Sequence, residues 1–268
     1  MKNEINCSDV SSHFNSLWKW DIKDYKTDGF KAGSPDKMTG KIGVMWKPKL
    51  SSLKAAYSDG CSFIVCHESV AVKTRNDSKE PEASFALPEE NEKFRFIEEN
   101  DITIYRCHDL WDRMADIGVR DTWRSQLFPD SPVFCDQYPY YVTQIAPTSL
   151  ESLARHIISK TSPLGQNGVL VSGDLKKKVG KIATGTGVCT DTALMRKLGA
   201  DAAIITDDYY LYVRQGILSE EMDFPTIAVN HNVAEESAIK NLARYLSSVF
   251  PDIDVKYYPQ VCPYKVVT

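Results

Sequence analysis

Two stretches of this chain repeat each other closely enough to restrict its architecture. Lys41-Ile42-Gly43 is followed twenty positions on by Cys61-Ser62-Phe63-Ile64-Val65-Cys66-His67-Glu68. Lys181-Ile182-Ala183 is followed, again twenty on, by Asp201-Ala202-Ala203-Ile204-Ile205-Thr206-Asp207-Asp208. Each copy reads as a strand, a helix stopped by glycine (Gly60, Gly199) and a second strand that ends in polar, ligand-type residues. Phe63, Ile64 and Val65 are continuous rather than alternating, as in a strand covered on both faces of a parallel-type sheet. Chemistry in such sheets sits beyond the carboxyl ends of the strands, which is where Cys66, His67 and Glu68 stand. A plainer reading of His67, as a strand cap bonded to a loop, stays open beside it.

The strand after each unit repeats as well. Ile104 precedes His108 by four and Asp112 follows by four; Ile227 precedes His231 by four and Glu235 follows by four. On a helix, positions i and i+4 share a face, so an imidazole and a carboxylate at this spacing can address one metal ion or one water. The same acids also fit a simpler role, because Asp109 with Asp112 and Asn232 with Glu235 have N-cap-to-N3 spacing. Duplication at matching positions favours the shared-ligand reading. The expectation is two pseudo-repeated α/β halves with mixed sheets, residues 1–126 and 127–268, with their polar edges converging on a cleft. The C-terminal segment is free to pack on the first half.

Between the repeats, a helix is expected near Val10–Trp18, then irregular chain to Gly40. Strands follow at Lys41–Trp46, Ser62–Cys66 and Ile102–Tyr105, with helices at Pro48–Ser58 and Lys93–Asn100 and an exposed loop over 72–92. Four prolines between Gln126 and Pro147 mark a loose junction. The second half reads as helix Ser149–Ser162, strands Gly168–Ser172 and Val179–Thr184, a Gly185-Thr186-Gly187 turn and helix Thr190–Leu198. Strands Ala202–Thr206 and Pro225–Val229, helix Asn232–Phe250 and strand Asp254–Tyr258 complete it. Gly185-x-Gly187 lacks the third glycine of a dinucleotide fingerprint and reads as a tight turn.

With 268 residues and 43% hydrophobic content, the chain can build proper cores. A formal net charge of −4 supplies no basic field for nucleic acid. Seven scattered cysteines and a polar start suit a reducing, cytoplasmic setting without structural disulfides. No apolar run approaches the ~20 residues that span a bilayer.

These residues, taken in order, resemble the Nif-three-like family of dinuclear metal-centre proteins, also labelled GTP cyclohydrolase 1 type 2 homologues. The resemblance rests on the strand ending in Cys66-His67 and on Asn100–Tyr105 leading to His108 and Asp112. Gly185-Thr186-Gly187, Gly199-Ala200-Asp201 before Ile204-Ile205-Thr206, and His231 with Glu235 carry the rest. It implies two α/β halves around a two-metal site and a toroidal homohexamer. Carried over by position, His67, Asp112, His231 and Glu235 fall on metal ligands, and Cys66 on the first of a histidine pair. Imidazole and carboxylate suit zinc, iron, manganese or nickel, one or two ions per chain. A Cys66 thiolate would favour zinc or iron; facing the core as a small hydrophobe, it would leave a single-metal site. The family's cleft histidines are absent from Thr206–Tyr212, although Asp208 is retained.

The leading expectation is a metal-dependent, cyclohydrolase-like hydrolase acting on a small heterocycle or amide. His108 and Asp208 would be its proton carriers, unless His108 instead orients a ligand. The alternative is a non-catalytic, ring-forming regulatory protein that holds metal and presents surfaces to partners. A Cys66 nucleophile is disfavoured, because adjacent strand residues point apart.

Overall fold

The computed structural model describes residues 3–20, 27–71, 88–187, 191–207 and 215–267. Backbone contacts divide the chain into two compact units, Met1–Met114 with Ile239–Pro259 and Ala115–Ala238 with Gln260–Thr268. In chain order, the first stretch holds β1 (Ile5–Asn6), α1 (Cys7–Leu17), β2 (Gly29–Ala32), β3 (Met38–Thr39), β4 (Lys41–Met45), α2 (Leu50–Ser58) and β5 (Phe63–Cys66). Next come α3 (Pro88–Glu99), β6 (Thr103–Arg106), α4 (Asp109–Arg113), α5 (Val119–Leu127), β7 (Val133–Gln137), β8 (Tyr140–Ser149) and α6 (Leu150–Thr161). The remainder is β9 (Leu170–Ser172), β10 (Lys178–Thr184), α7 (Thr192–Lys197), β11 (Ala202–Thr206), α8 (Ile217–Glu221), β12 (Thr226–Val229), α9 (His231–Val249) and β13 (Asp254–Tyr257). Among the described residues, no helix is long and apolar enough to cross a membrane.

The first unit's five-stranded sheet runs β13-β4-β5-β6-β2. Its first four strands are mutually parallel, with Ile64 paired to both Gly43 and Ile104, and β2 closes the edge antiparallel. One face packs Met45, Leu53, Ile64, Cys66, Ile97 and Ile104 into a core. On the other, Tyr105 stacks on Phe14 of α1 at 5.6 Å and meets Phe30 edge-on at 5.1 Å. Cover on both sides explains the unbroken apolar run of β5.

The second unit's six-stranded sheet runs β7-β8-β10-β11-β12-β9, parallel through its three central strands and antiparallel outside them. Ile182, Ile204 and Ile227 point into a core with Leu150, Leu153 and Ile157 of α6; Ala183, Ala203 and Ile205 point into one with Met195 and Phe224. The repeated strand–helix–strand units are thus the centres of two mixed sheets.

Two stretches read as irregular are ordered. Residues 126–147 carry the end of α5 and most of the β7–β8 hairpin. Pro129 and Pro132 precede β7, Pro139 sits in the turn after a cis bond, and Pro147 falls in the bulge where pairing skips between Val179 and Lys181. Proline here occupies positions that need no ladder donor, the places a strand tolerates it. Trp123, Leu127 and Phe128 are part of the second unit's core, so α5 belongs with that sheet. The other case is β2, a short edge strand within the glycine-broken start. Of the stretch read as an exposed loop, 72–87 lies outside the described residues and 88–92 forms the start of α3.

Candidate metal centre

In the first unit the sharp end of β5 delivers His67 and Glu68, and the end of β6 delivers His108 and α4. His67 is fully buried. Its Nδ1 lies 3.2 Å from the carbonyl oxygen of Cys107. A carbonyl only accepts, so Nδ1 carries the proton, and in the neutral ring the Nε2 lone pair is turned toward Asp112, whose Oδ1 is 3.4 Å away. The His108 ring stacks on His67 at 4.5 Å and 17°. Asp109 Oδ1 holds His108 Nδ1 at 2.9 Å, and Nε2 stands 3.6 Å from Glu68 Oε1.

His67, Glu68 and His108 each offer one ligand atom, all within 4.8 Å of one another. Buried Arg106 steadies this corner from below: its Nε donates to the His67 carbonyl at 2.9 Å, and its guanidinium lies 3.6 Å from Glu68 Oε2, leaving Oε1 toward the histidines. Lys47 donates to the Ser69 and Ala71 carbonyls and fixes the loop that leaves Glu68. Two imidazoles and a carboxylate, with a second carboxylate facing His67, form a donor set suited to a borderline divalent ion.

The second unit builds a matching dyad. His231 Nε2 and Glu235 Oε1, one turn apart at the start of α9, are 2.9 Å apart. Asp207, at the tip of β11, accepts the His231 backbone N–H at 3.0 Å and the Asn230 amide at 3.0 Å. Gly187 lies against the dyad at φ +59, where a Cβ would come 3.2 Å from His231 Nε2 and 3.8 Å from Glu235 Oε1. The glycine turn is therefore a cradle for the histidine, and its carbonyl is held at 2.9 Å by the Thr206 hydroxyl.

The His-x-x-x-acid phrase is thus a side-chain contact in both halves: His108 Nδ1 to Asp112 Oδ2 at 3.5 Å, and His231 to Glu235. The competing capping role falls away on geometry. The helices begin at Asp109 and His231, so Asp109 and Asn232 are inside the first turns rather than capping them.

Cys66 packs among Met45, Ile64 and Ile104, and burial pushes its thiol up to about 12. It enters none of the three-donor groups among the described residues. Cys66→Ala is therefore expected to cost about 1–2 kcal/mol of stability through lost packing and to leave metal content unchanged, as thermal unfolding and elemental analysis would show. His108, expected as a proton carrier, stands within the donor group. Asp208 lies outside the described residues, as do Tyr209, Tyr210 and Tyr212. The sequence puts Glu68 at the strand tip beside His67 without counting it among the metal ligands, and it assigns Asp109, Asp207 and Gly187 no ligand or catalytic role.

Burial disfavours a charged His108, but Asp112, Asp109 and Glu68 outweigh it and hold its pKa well above the ordinary imidazole value. In metal-free protein this ring's contribution to stability is fully present below about 6.5, its unfolded value, and is lost as pH rises through the raised folded value. Thermal midpoints of chelator-treated protein should accordingly fall across that alkaline limb. Adding a divalent ion, which takes the proton's place, should restore them.

A family model described as Duf34/NIF3 (NGG1p interacting factor 3) matches residues 5–262. Among solved structures, a Bacillus cereus protein related to NIF3 superposes with a TM-score of 0.77 at 15% identity, covering 98% of this chain and 99% of that one. The protein ybgI, of unknown function, gives 0.75 at 19% identity, covering 97% and 100%. Reduced HcgD from Methanocaldococcus jannaschii gives 0.69 at 19% identity, covering 96% and 99%. No curated protein matches the chain. At these identities the structures speak for the fold, and the family model, spanning nearly every residue, shows that the chain belongs to the Duf34/NIF3 family.

Proposed function

We propose that this protein is a metal-dependent hydrolase of a small heterocycle or amide, its divalent ions held by the histidine and carboxylate groups that each unit carries. The observation that carries this is the first-unit donor group: two histidines and Glu68 within 4.8 Å, with His67 Nε2 turned to a carboxylate. His67, Glu68, His108 and Asp112 would hold metal from the first unit, and His231 with Glu235 from the second. A bound divalent ion would supply a water of lowered pKa and an electrophile for a carbonyl or electron-poor ring carbon.

The chain's own residues prepare that chemistry. Asp109 fixes the Nδ1–H form of His108, so the other ring nitrogen is directed to the donor group. The Arg106 guanidinium, 3.6 Å from Glu68 Oε2, orients that carboxylate. We place His108 among the ligands on this geometry.

The test is elemental analysis of the purified protein, followed by multiple-turnover assays on cyclic amides and nitrogen heterocycles after reconstitution with zinc, iron, manganese or nickel. Turnover that chelation abolishes is the expected result. Stoichiometric metal with no turnover in any form would favour the regulatory reading, and no bound metal would end both. We also propose assembly as a ring of six 30.2 kDa chains; native mass spectrometry should show the hexamer, and a monomer would refute it.

A further inference from the structure

We propose that Asp28 is a positioning residue for the first-unit ligands: its carboxylate fixes the short helix that presents His108 and Asp112, an inference that rests on the metal-binding reading above. Asp28 Oδ1 accepts the backbone N–H groups of His108 at 2.8 Å and Asp109 at 2.7 Å, and Oδ2 accepts that of Leu110 at 3.1 Å. Three donors that a helix start leaves without an intrahelical partner are thus taken by one side chain eighty residues away. The neighbouring Thr27 N–H donates to Asp109 Oδ2 at 2.5 Å, and Asp109 Oδ1 in turn holds His108 Nδ1. Edge strand β2 sets this up, because its pairing of Gly29 with Arg106 brings residue 28 alongside the segment that leaves β6.

Two features make this more than ordinary capping. α4 has only five residues, too few to hold a helical turn by propensity, so external contacts must fix its direction. The internal repeat supplies the second. In the second half the cap for the His231 N–H is Asp207, and the position matching Asp207 in the first half is His67. With that position given to an imidazole, the cap has to come from elsewhere in the chain, and Asp28 supplies it. The first half thereby gains a histidine at the strand tip without losing the carboxylate that anchors its helix.

The experiment measures zinc affinity by chelator competition for the full chain and for Asp28→Ala, Asp28→Asn and Ser149→Ala. The last removes a helix cap that touches none of the proposed ligands. Asp28→Ala should lose about 10–100-fold in zinc affinity, as outer-shell partners of metal ligands do. Asp28→Asn keeps an acceptor for two of the N–H groups and should lose less, and Ser149→Ala should bind zinc as the parent does. In metal-free protein, at a pH above the raised His108 value so that the ring is neutral, ¹⁵N spectra of the histidines should show a fixed Nδ1–H form for His108 in the parent, where Asp109 accepts from Nδ1, and tautomer averaging in Asp28→Ala. Should Asp28→Ala fail to fold, Asp28→Asn carries the same comparison.

Zinc affinity within twofold of the parent in folded Asp28 variants would overturn the proposal, as would an equal loss in Ser149→Ala. A parent that binds no zinc would defeat the metal reading instead. The tautomer spectra would then decide Asp28's role, with unchanged His108 signals in the variants rejecting it.

Discussion

His67→Ala is expected to strip the protein of metal and, with it, of multiple-turnover hydrolysis. His67 is a member of the three-donor group, and its Nε2 faces Asp112 at 3.4 Å. Removing a ligand should weaken binding by more than the about 10–100-fold typical of losing an outer-shell partner. The fold should bear a smaller cost. A fully buried ring disappears and the Cys107 carbonyl loses a donor, together about 1–3 kcal/mol. Far-ultraviolet circular dichroism, thermal midpoint and metal content measured on one preparation separate these effects. A folded His67→Ala protein with parental metal content would remove the first unit from the site. The companion variant His231→Ala examines the second unit in the same way. Parental metal content in a folded His231→Ala protein would remove the second unit's dyad from the proposed ligands.

Much of this arrangement could be read from residue order alone, and the reason is physical. A strand covered on both faces must be apolar throughout, so Phe63–Cys66 and Ala202–Thr206 announce themselves. Once the repeat aligns them, His108 with Asp112 and His231 with Glu235 follow from helical spacing. Contributions that depend on sequence-distant pairing were not legible. Asp28 looks like any loop acid until β2 pairs with β6, and Gly187 looks like any turn glycine until His231 lies against it. The β7–β8 hairpin was hidden for a different reason: its prolines occupy the turn and a bulge, yet in one dimension they resemble a linker. Cys66 shows the limit of carrying a ligand over by position. It occupies a ligand position by resemblance, while its side chain packs in the apolar face of the sheet.

Gly187 yields the other large effect, because it combines two demands that different substitutions separate. At φ +59 most side chains are strained by about 1–3 kcal/mol, although asparagine visits this region more readily. Independently, any Cβ there would press on His231 Nε2 at 3.2 Å, the atom that also meets Glu235 at 2.9 Å. Gly187→Ala should therefore lose both stability and metal, while Gly187→Asn should recover much of the stability without recovering the metal. Thermal unfolding of metal-free protein reads the backbone cost, and zinc competition reads the obstruction. If Gly187→Asn bound zinc as the parent does, close contact with His231 would not be what requires glycine there, and the backbone conformation alone would account for it. If metal is lost in both variants while stability separates them, the absent side chain at 187 is part of how His231 remains open to a ligand.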